Sequence, residues 1–157
     1  AQHMPASFTL SFAQRMNELC AMQVVEVSKP MTLEPGTVYI AKGGADLQVV
    51  RRVGKLTAIA KPESSEHLWH PSVDLMARSV LEQLEARQVM AVMLTGMGND
   101  GAAAFTEVKR RGGRTIDESK ESAVVFGMPA ELIRLGGASV TLPADKIARQ
   151  LNAWLGC

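Results

Sequence analysis

Val89–Thr95 is a nearly continuous apolar run that breaks into Gly96-Met97-Gly98-Asn99-Asp100-Gly101. From Ala102 to Arg110 apolar residues return at helical spacing, and Gly112-Gly113 supplies a stop. A strand of that composition is expected to be buried on both faces, the condition of a parallel sheet covered by helices. One strand–loop–helix unit of this kind constrains the rest of the chain to alternate the two elements.

The remaining sequence fits that alternation. Phe8, Phe12, Met16 and Leu19, with Ala13 and Cys20 beside them, predict an amphipathic helix over Ser7–Cys20. Gln23–Val27 is a short β-branched run. Between Glu34 and Ala60 the pairs Val38/Ile40, Leu47/Val49 and Leu56/Ala58 alternate between turn signals at Gly43-Gly44 and Gly54-Lys55. That pattern predicts an inserted, hairpin-rich antiparallel patch. Lys61–Trp69 reads as a loop. Pro71-Ser72 opens a helix with Ser72 as N-cap and Val73, Ala77, Val80, Leu81 and Leu84 on one face. Arg114–Ile116 reads as a strand, Pro129–Leu135 as a helix closed by Gly136-Gly137, and Pro143 as the first position of a last helix. The predicted class is α/β, a mainly parallel, doubly wound sheet with an antiparallel hairpin region inserted, in one domain of 157 residues.

Composition excludes several functions. Seventeen basic against sixteen acidic residues leave a net charge of +1, and aromatics are 4%, so neither the field nor the stacking platforms of a nucleic-acid binder are present. No run approaches the length of a membrane helix, and no signal peptide is visible. Cys20 and Cys157 lie far apart, at no metal-binding spacing, and read as reduced thiols of a cytoplasmic protein. His67 and His70 form an H-x-x-H spacing without a third ligand, which reads as loop histidines and not as a metal site. The nine methionines read as packing. The opening "AQHMPASF" has the look of a strand end running into a proline-initiated helix, so further chain is expected upstream.

The glycine loop satisfies G-x-G-x-x-G, and Asp117 follows the next strand near the offset of a ribose ligand. A dinucleotide-binding domain built on Gly96, Gly98, Gly101 and Asp117 is therefore one reading. Asp100 argues against it. A carboxylate at the helix start satisfies the amides that a pyrophosphate would need and repels a second anion there. Asp100 is either a capping residue or a functional acid. His3, in "QHMP", stands at another junction of strand and helix, and ligands of open parallel sheets bind outside the carboxyl ends of the strands. A histidine oriented by a carboxylate is two-thirds of a hydrolase triad.

The segments "QHMPASFTLSFAQRMNELC", "PGTVYIAKGG", "HPSVDLMARSV", "VMLTGMGNDGAAA" and "VVFGMPAEL" resemble, in order and spacing, the catalytic domain of CheB-type protein-glutamate methylesterases. The resemblance implies an α/β serine hydrolase that removes methyl esters from glutamates of chemoreceptor helices in chemosensory adaptation, with glutamine deamidation in some members. It implies that residues 1–157 are one methylesterase-like catalytic domain lacking its first strand and helix, and that a receiver domain belongs upstream in a full-length protein. It places the triad histidine on His3 and the aspartate on Asp100, with backbone at Met97 and Gly98 lining the oxyanion region. It implies no cofactor and no metal, methylated chemoreceptor helices as partners, and no nucleic acid or membrane insertion.

This sequence departs from that pattern in three places. The family nucleophile is a serine in a G-x-S-x-G-like turn, and no such turn occurs in these 157 residues. Ser7, Ser11, Ser72 and Ser79 fall at helix starts or faces, where hydroxyls cap or face solvent. The chain by itself is therefore expected to be inactive, and with a strand and helix missing it is expected to self-associate. The family's usual histidine after "YIA" is Asp46 here, and its "HRPSVD" is "WHPSVD", with Trp69 and His70. A catalytically dead receptor-binding or regulatory relative is the third reading.

Overall fold

The computed structural model describes residues 1–156, so Cys157 and the expectation attached to its thiol lie outside the described residues. The chain divides into two compact units, Ala1–Gln83 and the segment from Leu84 onward.

In the first unit, helix α1 (Ala6–Leu19) starts directly after Pro5, whose φ of −59° prepares the helical turn. Strand β1 (Gln23–Val27) pairs in parallel with β3 (Thr37–Ala41), from Gln23 opposite Thr37 to Val27 opposite Ala41. The two-residue β2 (Met31–Thr32), β4 (Asp46–Arg52) and β5 (Lys55–Lys61) form an antiparallel sheet in the order β2-β5-β4. Helix α2 (Val73–Gln83) packs on β4, and the Ser79 hydroxyl accepts the amide of Val49 at 2.9 Å. Val27, Ala41, Leu47, Val49 and Ala58 make the core, with Tyr39, Met76 and Val80 against it. The Ser72 hydroxyl accepts the amide of Leu75, the cap that the sequence predicts.

The antiparallel patch is narrower than alternation suggests. Thr37–Ala41 joins β1 in parallel, and only β2, β4 and β5 run antiparallel. Period-two alternation reports which face is buried but is silent on the direction of the neighbouring strand.

In the second unit a single 3-10 turn (Ala86–Gln88) precedes β6 (Met90–Met93), α3 (Ala102–Arg110), β7 (Arg114–Glu118), α4 (Met128–Arg134), β8 (Val140–Leu142) and α5 (Ala144–Leu155). The strands form a parallel sheet in the order β6-β7-β8, with Met93 opposite Asp117 and Asp117 opposite Thr141. Both middle helices end as their glycine pairs predict. Gly113 N–H bonds Val108 O and Gly112 N–H bonds Lys109 O, while Gly137 and Gly136 repeat the arrangement on Leu132 and Ile133. Gly112 and Gly136 take the positive φ that such an ending requires, 91° and 70°. Ala91, Met93, Phe105, Val108, Ile116 and Leu132 are buried between the layers.

Two details differ from the sequence reading. Strand β6 stops at Met93, and Met90 and Val92 are only half-buried. Strand β8 is too short for periodicity to reveal, and Pro143 is the N-cap of α5, one position before the predicted one.

The β4–β5 hairpin has a two-residue turn, Val53-Gly54, with φ of +48° and +79°. Both positive values belong to a type I′ turn, which favours Asn-Gly and penalises a β-branched residue at the first position. The Val53 side chain is fully exposed and gains nothing in compensation. Val53→Asn is therefore expected to stabilise the protein by about 1 kcal/mol, read as a higher urea midpoint with an unchanged slope.

Candidate active site

His3 belongs to the first unit and Asp100 to the second. Each is set by a network of its own.

The turn between β3 and β4, Lys42–Ala45, has no room for a side chain at Gly43. A Cβ there would run into the Met4 carbonyl oxygen and, at 2.6 Å, the Ala6 amide nitrogen. The amide of Gly43 donates to Thr9 Oγ1 at 3.2 Å, and that buried hydroxyl donates to Glu26 Oε1 at 2.6 Å. The backbone following His3 is therefore held against this turn. The imidazole of His3 stacks on the indole of Trp69, with centroids 4.9 Å apart and planes 12° from parallel.

Asp46, at the start of β4, is 1% exposed. Its Oδ1 accepts the amide of Ser72 at 2.9 Å and its Oδ2 the amide of Ser64 at 3.0 Å. His70 Nδ1 lies 3.1 Å and 3.0 Å from the two oxygens, and since a carboxylate only accepts, Nδ1–H is the donor. The amide of Gly44 also donates to the His70 carbonyl at 3.3 Å. The two unusual positions of the sequence, Asp46 and His70, are thus one hydrogen-bonded pair. His67 Nδ1 sits 3.4 Å from Ser72 Oγ, so the rings of the H-x-x-H spacing have separate partners. Among the described residues no three His, Cys, Asp or Glu side chains gather around a common point.

In the second unit the glycine loop is pinned by the segment 124–128. Gly96 N–H donates to Val125 O at 3.0 Å, and Gly96 O accepts the amides of Gly127 and Met128 at 3.1 and 2.8 Å. The Thr95 hydroxyl accepts the amide of Val125 at 2.8 Å, and the Thr95 amide donates to Glu118 Oε2 at 2.7 Å. That side-chain bond takes Thr95 out of the strand ladder, which explains why β6 is short. Glu118 is buried, and its Oε1 accepts the Ser122 hydroxyl at 2.8 Å.

Close packing at one position and positive φ at two account for the three glycines. A Cβ at Gly96 would meet Met128 Sδ at 2.5 Å, and Gly98 and Gly101 have φ of +91° and +82°. None of them depends on a pyrophosphate. Asp117 is completely buried, its Oδ1 accepting the Thr141 hydroxyl at 3.0 Å, so it is not presented to a ribose. The dinucleotide reading loses its acidic ligand to the interior. Asp100 is 9% exposed. The N-cap position of α3 is Gly101, the residue after it. The carboxylate stands one residue outside the helix, near its positive end, where an anion is stabilised. Met97, three residues earlier and next to Gly98, is exposed.

Three of the serines weighed in the sequence serve as local hydroxyls. Ser11 donates to Phe8 O, Ser79 to Met76 O, and Ser72 caps α2. What sequence reasoning missed is the Asp46–His70 pair and the Trp69–His3 stack. The signal for both was present, since Asp46, Trp69 and His70 are the very positions that depart from the family pattern.

The family model for the CheB methylesterase matches residues 1–151. The chain belongs to the CheB methylesterase family. It is 52% identical over 155 residues to "Protein-glutamate methylesterase/protein-glutamine glutaminase 3" of Rhodospirillum rubrum, covering 99% of this chain and 42% of that one. It is 46% identical over 149 residues to a protein-glutamate methylesterase/protein-glutamine glutaminase of Caldanaerobacter subterraneus, covering 94% and 41%. The crystal structure of the Thermotoga maritima CheB methylesterase catalytic domain matches with a TM-score of 0.89 and 38% identity, over 96% of this chain and 79% of that one. The chain spans about two-fifths of the length of the curated relatives it matches. The α/β class, with its parallel strands and inserted antiparallel sheet, is that of the CheB catalytic domain. No helix among the described residues is long and apolar enough to cross a membrane.

Burial pushes the Asp117 carboxyl above the ordinary carboxylate range, against the opposing hydrogen bond from Thr141. Its Oδ2 has no hydrogen-bond partner. The folded state therefore holds this proton to higher pH than the unfolded chain does. Asp117 contributes a loss of stability that begins as pH rises through the unfolded carboxylate value and is complete above the raised folded one. Asp117→Asn is expected to raise the urea midpoint at neutral pH, the gain shrinking toward about pH 4. A midpoint difference independent of pH contradicts this.

Proposed function

We propose that this chain is the catalytic part of a serine-type protein-glutamate methylesterase that removes methyl esters from glutamates of cytoplasmic chemoreceptor helices in chemosensory adaptation, with glutamine deamidation as a second activity. The observation that carries the reading is the CheB match over residues 1–151. The names of its relatives, which pair methylesterase with glutaminase, support both activities.

In the proposed mechanism a serine supplied from outside these 157 residues attacks the γ-ester carbonyl, and the His3 imidazole takes its proton. The family resemblance gives Asp100 the part of the triad acid, and backbone amides at Met97 and Gly98 the part of receiving the charge that develops on the carbonyl oxygen. Collapse expels methoxide, which leaves as methanol with the proton from His3. Water, deprotonated by the same ring, then cleaves the acyl-enzyme to glutamate. No cofactor or metal enters any step. An upstream receiver domain that controls access to the site belongs to the same reading, as do a cytoplasmic location and self-association of the isolated fragment.

Methanol release from a methylated receptor peptide tests this. The isolated 157 residues are expected to give no turnover, and the full-length protein to turn over and lose about 10⁴-fold in kcat on His3→Ala or Asp100→Ala. Robust turnover by the isolated chain, or full activity in either variant, overturns the mechanism. A full-length protein without turnover favours the regulatory, receptor-binding relative.

A further inference from the structure

The Lys42–Ala45 turn and Asp46 beside it hold two stretches of chain that are far apart in sequence. Through Gly43 the turn receives Met4, Pro5 and Ala6, the residues that follow His3. Through the Gly44 amide and the Asp46 carboxylate it fixes the carbonyl and ring of His70 and the amide of Ser72, the residues that follow Trp69. What faces across that shared support is the His3 imidazole on the Trp69 indole, 4.9 Å between centroids and nearly parallel. Trp69 is half-buried at the end of an irregular loop, where a large ring has no secondary structure to hold it. Asp46 and His70 supply that hold: a buried carboxylate with a ring donor and two amide donors leaves the residue before His70 little freedom.

We propose that Trp69 is a positioning residue for the His3 imidazole, and that the Asp46–His70 hydrogen bond holds Trp69 in that position. The inference rests on the reading of His3 as the general base. The stack restricts rotation of the imidazole about its own side-chain torsions, so the ring waits in one orientation. The indole face also attracts positive charge within about 6 Å, so the interaction strengthens as His3 takes up the serine proton. A contact that is stronger in the transition state than in the ground state acts on kcat and leaves KM alone.

The test uses the full-length protein with a methylated receptor peptide. Trp69→Leu is expected to lower kcat by roughly 2- to 10-fold with KM unchanged, and Trp69→Phe to recover most of the loss. Asp46→Asn combined with Trp69→Leu is expected to cost less than the sum of the two single changes, because both act through one ring. In a histidine-labelled sample the imidazole C–H resonances of His3 are expected upfield under the indole, and to move downfield in Trp69→Leu. The inference is overturned if Trp69→Leu leaves kcat unchanged, if the loss falls in KM, if Trp69→Phe restores nothing, or if the His3 resonances do not move. If His3→Ala is inactive while Trp69→Leu matches the parent, the reading of His3 stands and this inference alone falls. If His3→Ala retains turnover, the reading of His3 falls and takes the inference with it.

Discussion

A carboxylate removed from water must find hydrogen-bond donors for its oxygens inside the protein, and breaking such a site by removing one partner costs about 3–5 kcal/mol. Asp46 meets that requirement with the amides of Ser64 and Ser72 and the ring of His70. The irregular loop that joins β5 to α2 is therefore tied down at both ends by a single side chain at the start of β4. Ser72, whose amide is one of those donors, also caps α2, so the same carboxylate helps to place that helix start. The backbone that carries Trp69 and the backbone that follows His3 both rest on the turn adjoining Asp46.

The glycine loop of the second unit follows a comparable logic. Neighbours pin its shape: Met128 fills the space over Gly96, the 124–128 segment takes the Thr95 and Gly96 hydrogen bonds, and Glu118 holds the Thr95 amide. Asp100 then falls just before α3, buried, with Gly101 taking the cap position. The methylesterase reading gives that carboxylate the role of the triad acid.

The helices were legible in the sequence because their signals are local. The periodic apolar residues of α2, the Ser72 cap and the glycine pairs after α3 and α4 all act within a few residues; α1 also forms where periodicity puts it, but it buries Thr9 and Ala13 while Phe8 and Leu19 of the predicted face are exposed. The direction of β3, the existence of β8 and the early end of β6 depend on partners distant in sequence and leave no periodic trace. The same holds for Asp46 and His70, 24 residues apart, and for His3 and Trp69. Departure from the family pattern flagged Asp46, Trp69 and His70, and only the fold made pairs of them. The letters G-x-G-x-x-G misdirect for a related reason: close packing and two positive φ values produce the same spelling as a phosphate cradle.

The loop before α2, with Trp69 in it, depends on the buried carboxylate of Asp46. The urea midpoint of Asp46→Ala tests that dependence most directly. The account predicts a midpoint lowered by the equivalent of about 3–5 kcal/mol. A midpoint equal to that of the parent protein contradicts it.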